Sequence, residues 1–307
     1  MTEKMDADLP AGQEALSIAD ITPVEVDSPG RRALRRFLRH RLAIGALIVL
    51  LVIISLAVFA PTFARYPYEE MNLRDTKSPP SAEHWFGTDR IGRDIWSRTL
   101  YGARVSLAVG LATGLLATAI GTTIGALSGY YRGWVDMLLM RFTDIVMTFP
   151  SIIIMLTLAA LLERSLLNLV LIIGGLSWPP MARLVRGQFL SAREQDFVLA
   201  AQCLGVPNRR IITLHILPNI LAPMLAQITF SVGEAILIES GLSFLGLGVP
   251  LPTPSWGNML EAARNLEVLQ GLPWMWIPPA IATVITVLCV NFIGDGLRDA
   301  TDPRLVM

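Results

Sequence analysis

Residues 196–219 read DFVLAAQCLGVPNRRIITLHILPN, a polar, helix-breaking interruption between two long apolar runs. Phe197, Ala200, Ala201 and Leu204 recur at i, i+3, i+4 and i+7, so a helix here carries one narrow apolar face with two small residues at its centre. Small residues let another surface approach closely, which makes the segment a candidate docking element. The same period fits an amphipathic helix resting on lipid headgroups. Gly205 followed by Pro207 predicts the end of that helix, and Leu217-Pro218-Asn219 predicts a turn back into the apolar chain.

The flanking runs decide the class. Of 307 residues, 53% are hydrophobic and only 16% charged. At roughly 20 apolar residues per span, uncharged runs at 42–63, 105–130, 145–162, 165–182, 220–249 and 268–294 predict an all-α integral membrane protein of about six transmembrane helices. Little chain is left for a soluble domain.

Formal net charge is zero, so the distribution carries the information. Residues 1–30 are polar, acidic and without helical period, which predicts a disordered tail ahead of a transmembrane domain at 31–307. Arg31, Arg32, Arg35, Arg36, Arg39 and Arg41 abut the first apolar run and, by the positive-inside rule, predict a cytoplasmic N-terminus. The basic cluster follows a long acidic stretch, and no small-residue cleavage site ends the run, so a cleaved signal peptide is not expected. Six spans then place the C-terminus in the cytoplasm too, with most of the cations inside. The outside cations concentrate in the connection 64–104, interleaved with carboxylates, predicting a compact, charge-paired extracytoplasmic segment. Within it, Gly87-Thr88-Asp89 is a turn or N-cap signal, after which Ile91, Ile95 and Trp96 predict an interfacial helix with Trp96 as a headgroup anchor.

The second span, SLAVGLATGLLATAIGTTIGALSGY (106–130), spaces Gly110, Gly114, Gly121 and Gly125 as small-xxx-small pairs that favour close helix packing. Short turns at Tyr131-Arg132-Gly133-Trp134 and Glu163-Arg164 predict that spans two, three and four are antiparallel neighbours. In the fifth span, Glu234 and Glu239 are ionisable groups in an apolar run and hence candidates for a translocation pathway or gate, against the alternative of a structural, hydrogen-bonded carboxyl. Gly233, Gly241, Gly246 and Gly248 predict a weakened or broken helix there.

Several chemistries are missing. Neither Lys4 nor Lys77 sits in GxxxxGK[ST], since Met71 and Thr76 fill the glycine positions before Lys77, which excludes a P-loop. His40, His84 and His215 all lie outside the apolar runs, and Gly-Leu-Ser at Gly175 and Gly241 lacks the GxSxG spacing, so their serines are expected to pack or to bond helix backbone. Cys203 and Cys289 have neither disulfide nor metal spacing. No catalytic residue, cofactor, metal site or nucleic-acid partner is expected.

The segment 191–219 resembles the cytoplasmic "EAA" loop of ABC-importer permeases, in which an alanine pair, a glycine and a terminal Leu-Pro form a coupling helix docked on an ATPase. Here those positions are Ala200-Ala201, Gly205 and Leu217-Pro218, with Leu199 in place of the usual glutamate and His215 nearby. FGTDRIGRDIWSRTLYGARVSL (86–107), ESGLSFLGLGVPLPTPSWGNML (239–260) and GDGLRDATDPR (294–304) are similar to the C-type permease subunit of the dipeptide/oligopeptide/nickel importer family. The resemblance implies a type I ABC importer permease fold in a bacterial cytoplasmic (inner) membrane, a B-type permease partner, two cytoplasmic ATPases that use ATP and Mg, and an extracytoplasmic substrate-binding protein. Peptides, nickel chelates and oligosaccharides are all substrates of such systems. A secondary transporter and a membrane scaffold or sensor are the competing classes; the first would need coupling-ion sites in broken helices, and the second an appended soluble domain.

Overall fold

The computed structural model describes residues 34–301, so the 1–30 tail and the last six residues lie outside the described part. Among the described residues the chain is helical, with a single isolated bridge between Thr88 and Asp94. The helices used below are α1 (Arg41–Val58), α2 (Ile95–Tyr131), α3 (Gly133–Thr148), α4 (Ser151–Leu161), α5 (Leu166–Leu176), α6 (Pro179–Ala192), α7 (Asp196–Cys203), α8 (Leu221–Phe244), α9 (Trp256–Leu260) and α10 (Ile277–Thr301). Four helical runs are long and apolar enough to cross a membrane, and six if the bent pairs α3–α4 and α5–α6 each count as one span.

Both bends follow from proline. Phe149 precedes Pro150 and is pushed into the extended region (φ −92°, ψ 140°), so α3 and α4 meet at 77°. Ser177-Trp178 before Pro179-Pro180 produces a 44° bend between α5 and α6. The expected spans 145–162 and 165–182 are therefore each two helices with shifted bounds. Conversely, α8 runs unbroken through Gly233 and Gly241 and ends at Phe244, where Gly246 takes a positive φ of 82°. Neighbouring helices hold a glycine-containing helix straight once its faces are packed. The expected sixth span begins late, at Ile277, because Leu272-Pro273 ends a short helix at Leu266–Gly271.

α2 is the central element, packing on α6, α8, α5 and α1. Its glycine stripe divides between two neighbours: a Cβ on Gly114 would lie 2.7 Å from Val232 of α8, and one on Gly121 would lie 2.7 Å from Met181 and from the Trp178 carbonyl at α6. The predicted close packing is thus present, on two sides of one helix. With 37 residues α2 is about 55 Å long, well beyond the roughly 30 Å hydrocarbon core, and the excess lies chiefly at its N-terminal end, where residues 95–104 precede the apolar run.

The N-terminal end of α2 enters the segment 64–104. The anticipated interfacial helix after Gly87-Thr88-Asp89 begins later than expected: Asp89 Oδ1 accepts the Ile91 and Arg93 amides at 2.9 Å in a tight turn, and Ile95 and Trp96 form the first residues of α2 itself. Asp94 caps it, accepting the Ser97 amide at 2.8 Å while its other oxygen meets His84 Nδ1 at 2.9 Å. Trp96 is half-buried, packs on Trp85 and Phe86 and donates to the Phe63 carbonyl at 3.1 Å, so its indole is held at the edge of this segment. Charge pairing is partial. Arg93 pairs with Asp89 at 2.6 Å and Lys77 with Glu267 at 2.7 Å, the ammonium holding the Glu267 carboxyl below its usual range. Other arginines bond carbonyls instead, as Arg104 does at Ala57 and Val58, where it satisfies the end of α1.

Candidate functional site

The opposite end of α2 carries the 196–219 segment. Gln195, in extended conformation, precedes α7, and Gly205 (φ 71°) closes it with both bonds of a Schellman ending: Gly205 N–H to the Gln202 carbonyl at 3.0 Å and Val206 N–H to the Ala201 carbonyl at 3.1 Å. Pro207 then starts a new helical turn. Contrary to expectation, Leu217-Pro218-Asn219 makes no reversal. Residues 208–244 form one helical run, widened to a π-helical turn at Ile211–Ile216 and tightened to a 3₁₀ turn at Leu217–Ile220. Pro218 has no N–H, and the preceding Leu217 amide reaches back five residues to Ile212, so the helix changes gauge instead of turning.

This segment is bolted to the bundle by its inner face. Val198, Ala201, Ile211, Ile216 and Ile220 are buried with Tyr130, Val185 and Phe189 in one apolar cluster. Tyr130 donates its hydroxyl to Asn208 Oδ1 at 2.8 Å, and Arg132 pairs with Glu194 at 2.6 Å. The outer face is apolar and open: Phe197 is 37% exposed, Leu199 46% and Leu204 83%, with Ala200 and Cys203 exposed between them. A Cβ on Gly205 would meet nothing within 4 Å. Of the sequence-predicted residues, Leu199, Ala200, Gly205 and Pro218 face outward, while His215 and Leu217 are half-buried. Ala201 turns inward at 6% exposed, because the helix buries its Val198/Ala201 edge.

The two glutamates of α8 part company. Glu234 is exposed and lines a cleft of about 130 Å³ bounded by both proline bends, through Met147, Phe149, Ser151, Ser177 and Pro179. Glu239 is fully buried and sealed within this chain. Ser243 donates to its Oε1 at 2.7 Å and Ser106, from α2, to its Oε2 at 3.2 Å. Each serine in turn accepts a backbone amide at 3.2 Å, Ser243 from Val249 and Ser106 from Trp256. Two amide–hydroxyl–carboxylate relays therefore pin both ends of the 249–256 loop, which is the structural role of a hydrogen-bonded carboxyl. Ser243, expected to pack or to bond helix backbone, donates to Glu239 and accepts a loop amide, that of Val249. Glu239-x-x-x-Ser243 is an i, i+4 spacing that signals one of these contacts; nothing local signals Ser106, 133 residues away.

Comparison with known proteins agrees with this architecture. Residues 121–307 match the family model described as "Binding-protein-dependent transport system inner membrane component", and residues 28–80 match the N-terminal TM domain of oligopeptide transport permease C. The dipeptide transport system permease protein of Alkalihalophilus pseudofirmus is 45% identical over 278 residues, 91% of each chain. A putative peptide permease of Brucella suis is 44% identical over 276 residues, covering 90% of this chain and 91% of that one. The oligopeptide transport system permease of Bacillus subtilis is 43% identical over 273 residues, 89% of each. With its apolar helices, the chain belongs to the multi-pass membrane permeases of binding-protein-dependent peptide ABC transport systems, in the C-type branch.

Proposed function

We propose that this chain is one of two unlike permease subunits of an ATP-driven importer of di- and oligopeptides in a bacterial inner membrane, with both termini cytoplasmic. Its B-type counterpart supplies the other half of the pathway, an extracytoplasmic binding protein delivers substrate, and two ATPases hydrolyse ATP with Mg. The observation that carries this reading is the open apolar ridge of Phe197, Leu199, Ala200 and Leu204 on a helix whose other edge is fixed to the bundle. An unpartnered apolar ridge gains free energy when covered, and a rigid mount passes movement of its cover to the spans. Glu234, facing the cleft between the bends, is the pathway residue in this reading; Glu239 shapes the outer loop from inside the wall. Alternating access follows when ATPase closure moves two such loops and the subunits rock against each other.

The test is uptake of labelled dipeptide into proteoliposomes or cells holding the assembled complex. Uptake should stop on ATP depletion and survive an uncoupler. Uptake that survives ATP depletion and collapses with the uncoupler would instead favour a secondary transporter, and uptake of only nickel chelates or oligosaccharides would replace the substrate.

A further inference from the structure

At the end of the bundle opposite the 196–219 loop, a pocket of about 230 Å³ opens between the 89–93 turn, the start of α2 and the α9 region. Its wall is unusual in charge. Arg90, Arg93 and Arg98 face Asp89 and Glu261, with Asn258 beside them and Ile95, Met259 and Met275 as apolar floor.

The cations are not equally committed. Arg93 is paired with Asp89, whose two oxygens are taken up by Arg93 Nε and by the amides of its own turn. Arg90 donates to the Ala262 carbonyl at 3.1 Å, and Glu261 sits 3.8 Å from Arg264. Arg98 is only 3% exposed, yet the one hydrogen bond of its side chain among the described residues runs from Nη1 to the Tyr68 carbonyl at 3.2 Å. A buried guanidinium without a dedicated carboxylate is costly unless an anion completes it. Planar, forked donors select a planar, two-oxygen acceptor. The pocket's formal balance of three cations against two anions matches a single negative charge. Its volume is below the roughly 300–1,000 Å³ of sites that enclose a drug-sized ligand, so it takes the end of a longer molecule, with the methionines against an apolar side chain.

We infer that this pocket binds the C-terminal residue of a peptide, its carboxylate on Arg98 and its side chain on Met259 and Met275. The assignment rests on the peptide-import reading and deepens it.

The full chain in lipid nanodiscs is titrated with N-acetyl-Ala-Leu and with N-acetyl-Ala-Leu amide. The acid should bind at least tenfold more tightly than the amide, and Arg98→Gln should remove that difference. Because Arg98 also holds the Tyr68 carbonyl, wild-type protein is treated in parallel with phenylglyoxal and the modified arginines mapped. The acid should slow modification of Arg98 while leaving Arg141 unchanged, and the amide should not. Equal binding of acid and amide, no protection of Arg98, or equal protection by inorganic phosphate each overturns the inference. ATP-driven peptide uptake with equal acid and amide binding would remove the pocket assignment alone; acid-selective binding in a complex without ATP-driven uptake would remove the import reading.

Discussion

Glu239 and Ser106 lie 133 residues apart in sequence and meet at 3.2 Å inside the bundle, where the serine hydroxyl passes the Trp256 amide on to the carboxylate. Replacing Glu239 by Leu strands two buried hydroxyls, each an unsatisfied group worth about 1–3 kcal/mol. Glu239→Leu should lower the detergent-solubilised melting temperature and speed proteolysis within 249–256. Glu239→Gln, which keeps an oxygen acceptor, should do both to a smaller extent. Equal melting temperatures for wild type and Glu239→Leu would show that the relays do not support the fold.

Ala200 and Ala201, neighbours in sequence, should respond oppositely to the same substitution. Ala201→Asp buries a carboxylate in the cluster of Val198, Ile211 and Phe189 at a cost of several kcal/mol, so proteolysis of the isolated chain within 196–219 should become faster than in wild type. Ala200→Asp lies on the open face and should leave the isolated chain intact while abolishing co-purification of the ATPases. Normal ATPase retention with Ala200→Asp would remove the exposed ridge from the docking surface.

At Gly205 the penalty is conformational. A side chain at φ 71° has open space but a disfavoured backbone, costing about 1–2 kcal/mol for alanine and more for a β-branched residue. Gly205→Val should therefore reorient the chain after α7 and lower uptake more than Gly205→Ala, with membrane insertion of both variants unchanged by blue-native electrophoresis. Wild-type uptake with Gly205→Val would separate this helix ending from transport.

Gly121 and Gly187 provide a packing contrast. Gly121→Ala drives a Cβ to 2.7 Å from Met181 and the Trp178 carbonyl and should cost about 1–3 kcal/mol as α2 and α6 separate. Gly187→Ala, with nothing within 4 Å, should be neutral or stabilising by about 0.5–1 kcal/mol through helix propensity. Thermal unfolding of the two variants in the same detergent reads the difference directly.

Topology is tested with an impermeant thiol reagent on intact cells. Thr76→Cys, exposed in the 64–104 segment, should react from outside, whereas exposed Cys203 should react only after permeabilisation of cells that lack the ATPase subunits. The reverse pattern would invert the chain in the membrane.

What the sequence made legible was what local chemistry enforces. The glycine spacing of 106–130 foretold close helix contacts, and Gly205-x-Pro207 foretold the end of α7, because each feature acts within a turn or two of itself. Proline acts differently at its two helical sites. Pro150 lay within an otherwise uniform apolar run, and hydropathy concealed a 77° bend that the backbone restriction on Phe149 requires. Leu217-Pro218-Asn219 signals a turn back into the apolar chain, but flanking packing on Ile216 and Ile220 keeps the helix going and Pro218 merely changes its gauge. The helical period puts Ala201 beside Ala200 on one apolar face, yet period alone cannot say which edge of a short amphipathic helix is buried, and here it is the Ala201 edge. The partners of Glu239 and the Arg98 pocket were hidden for a simpler reason: they assemble from segments brought together only by the fold.

The unbroken 37-residue rod α2 is seated unevenly along its length. Gly110 and Gly114 press on α8 from mid-length, and Gly121, Gly125 and Gly129 press on α6 as far as the last turn, where Tyr130 is buried with the 196–219 segment. A rod held through its second half is a lever with its grip at one end. Rotation by about 5° at that grip moves the far end of a roughly 55 Å helix by about 5 Å, so the end that enters the arginine pocket is the one with the longer arm.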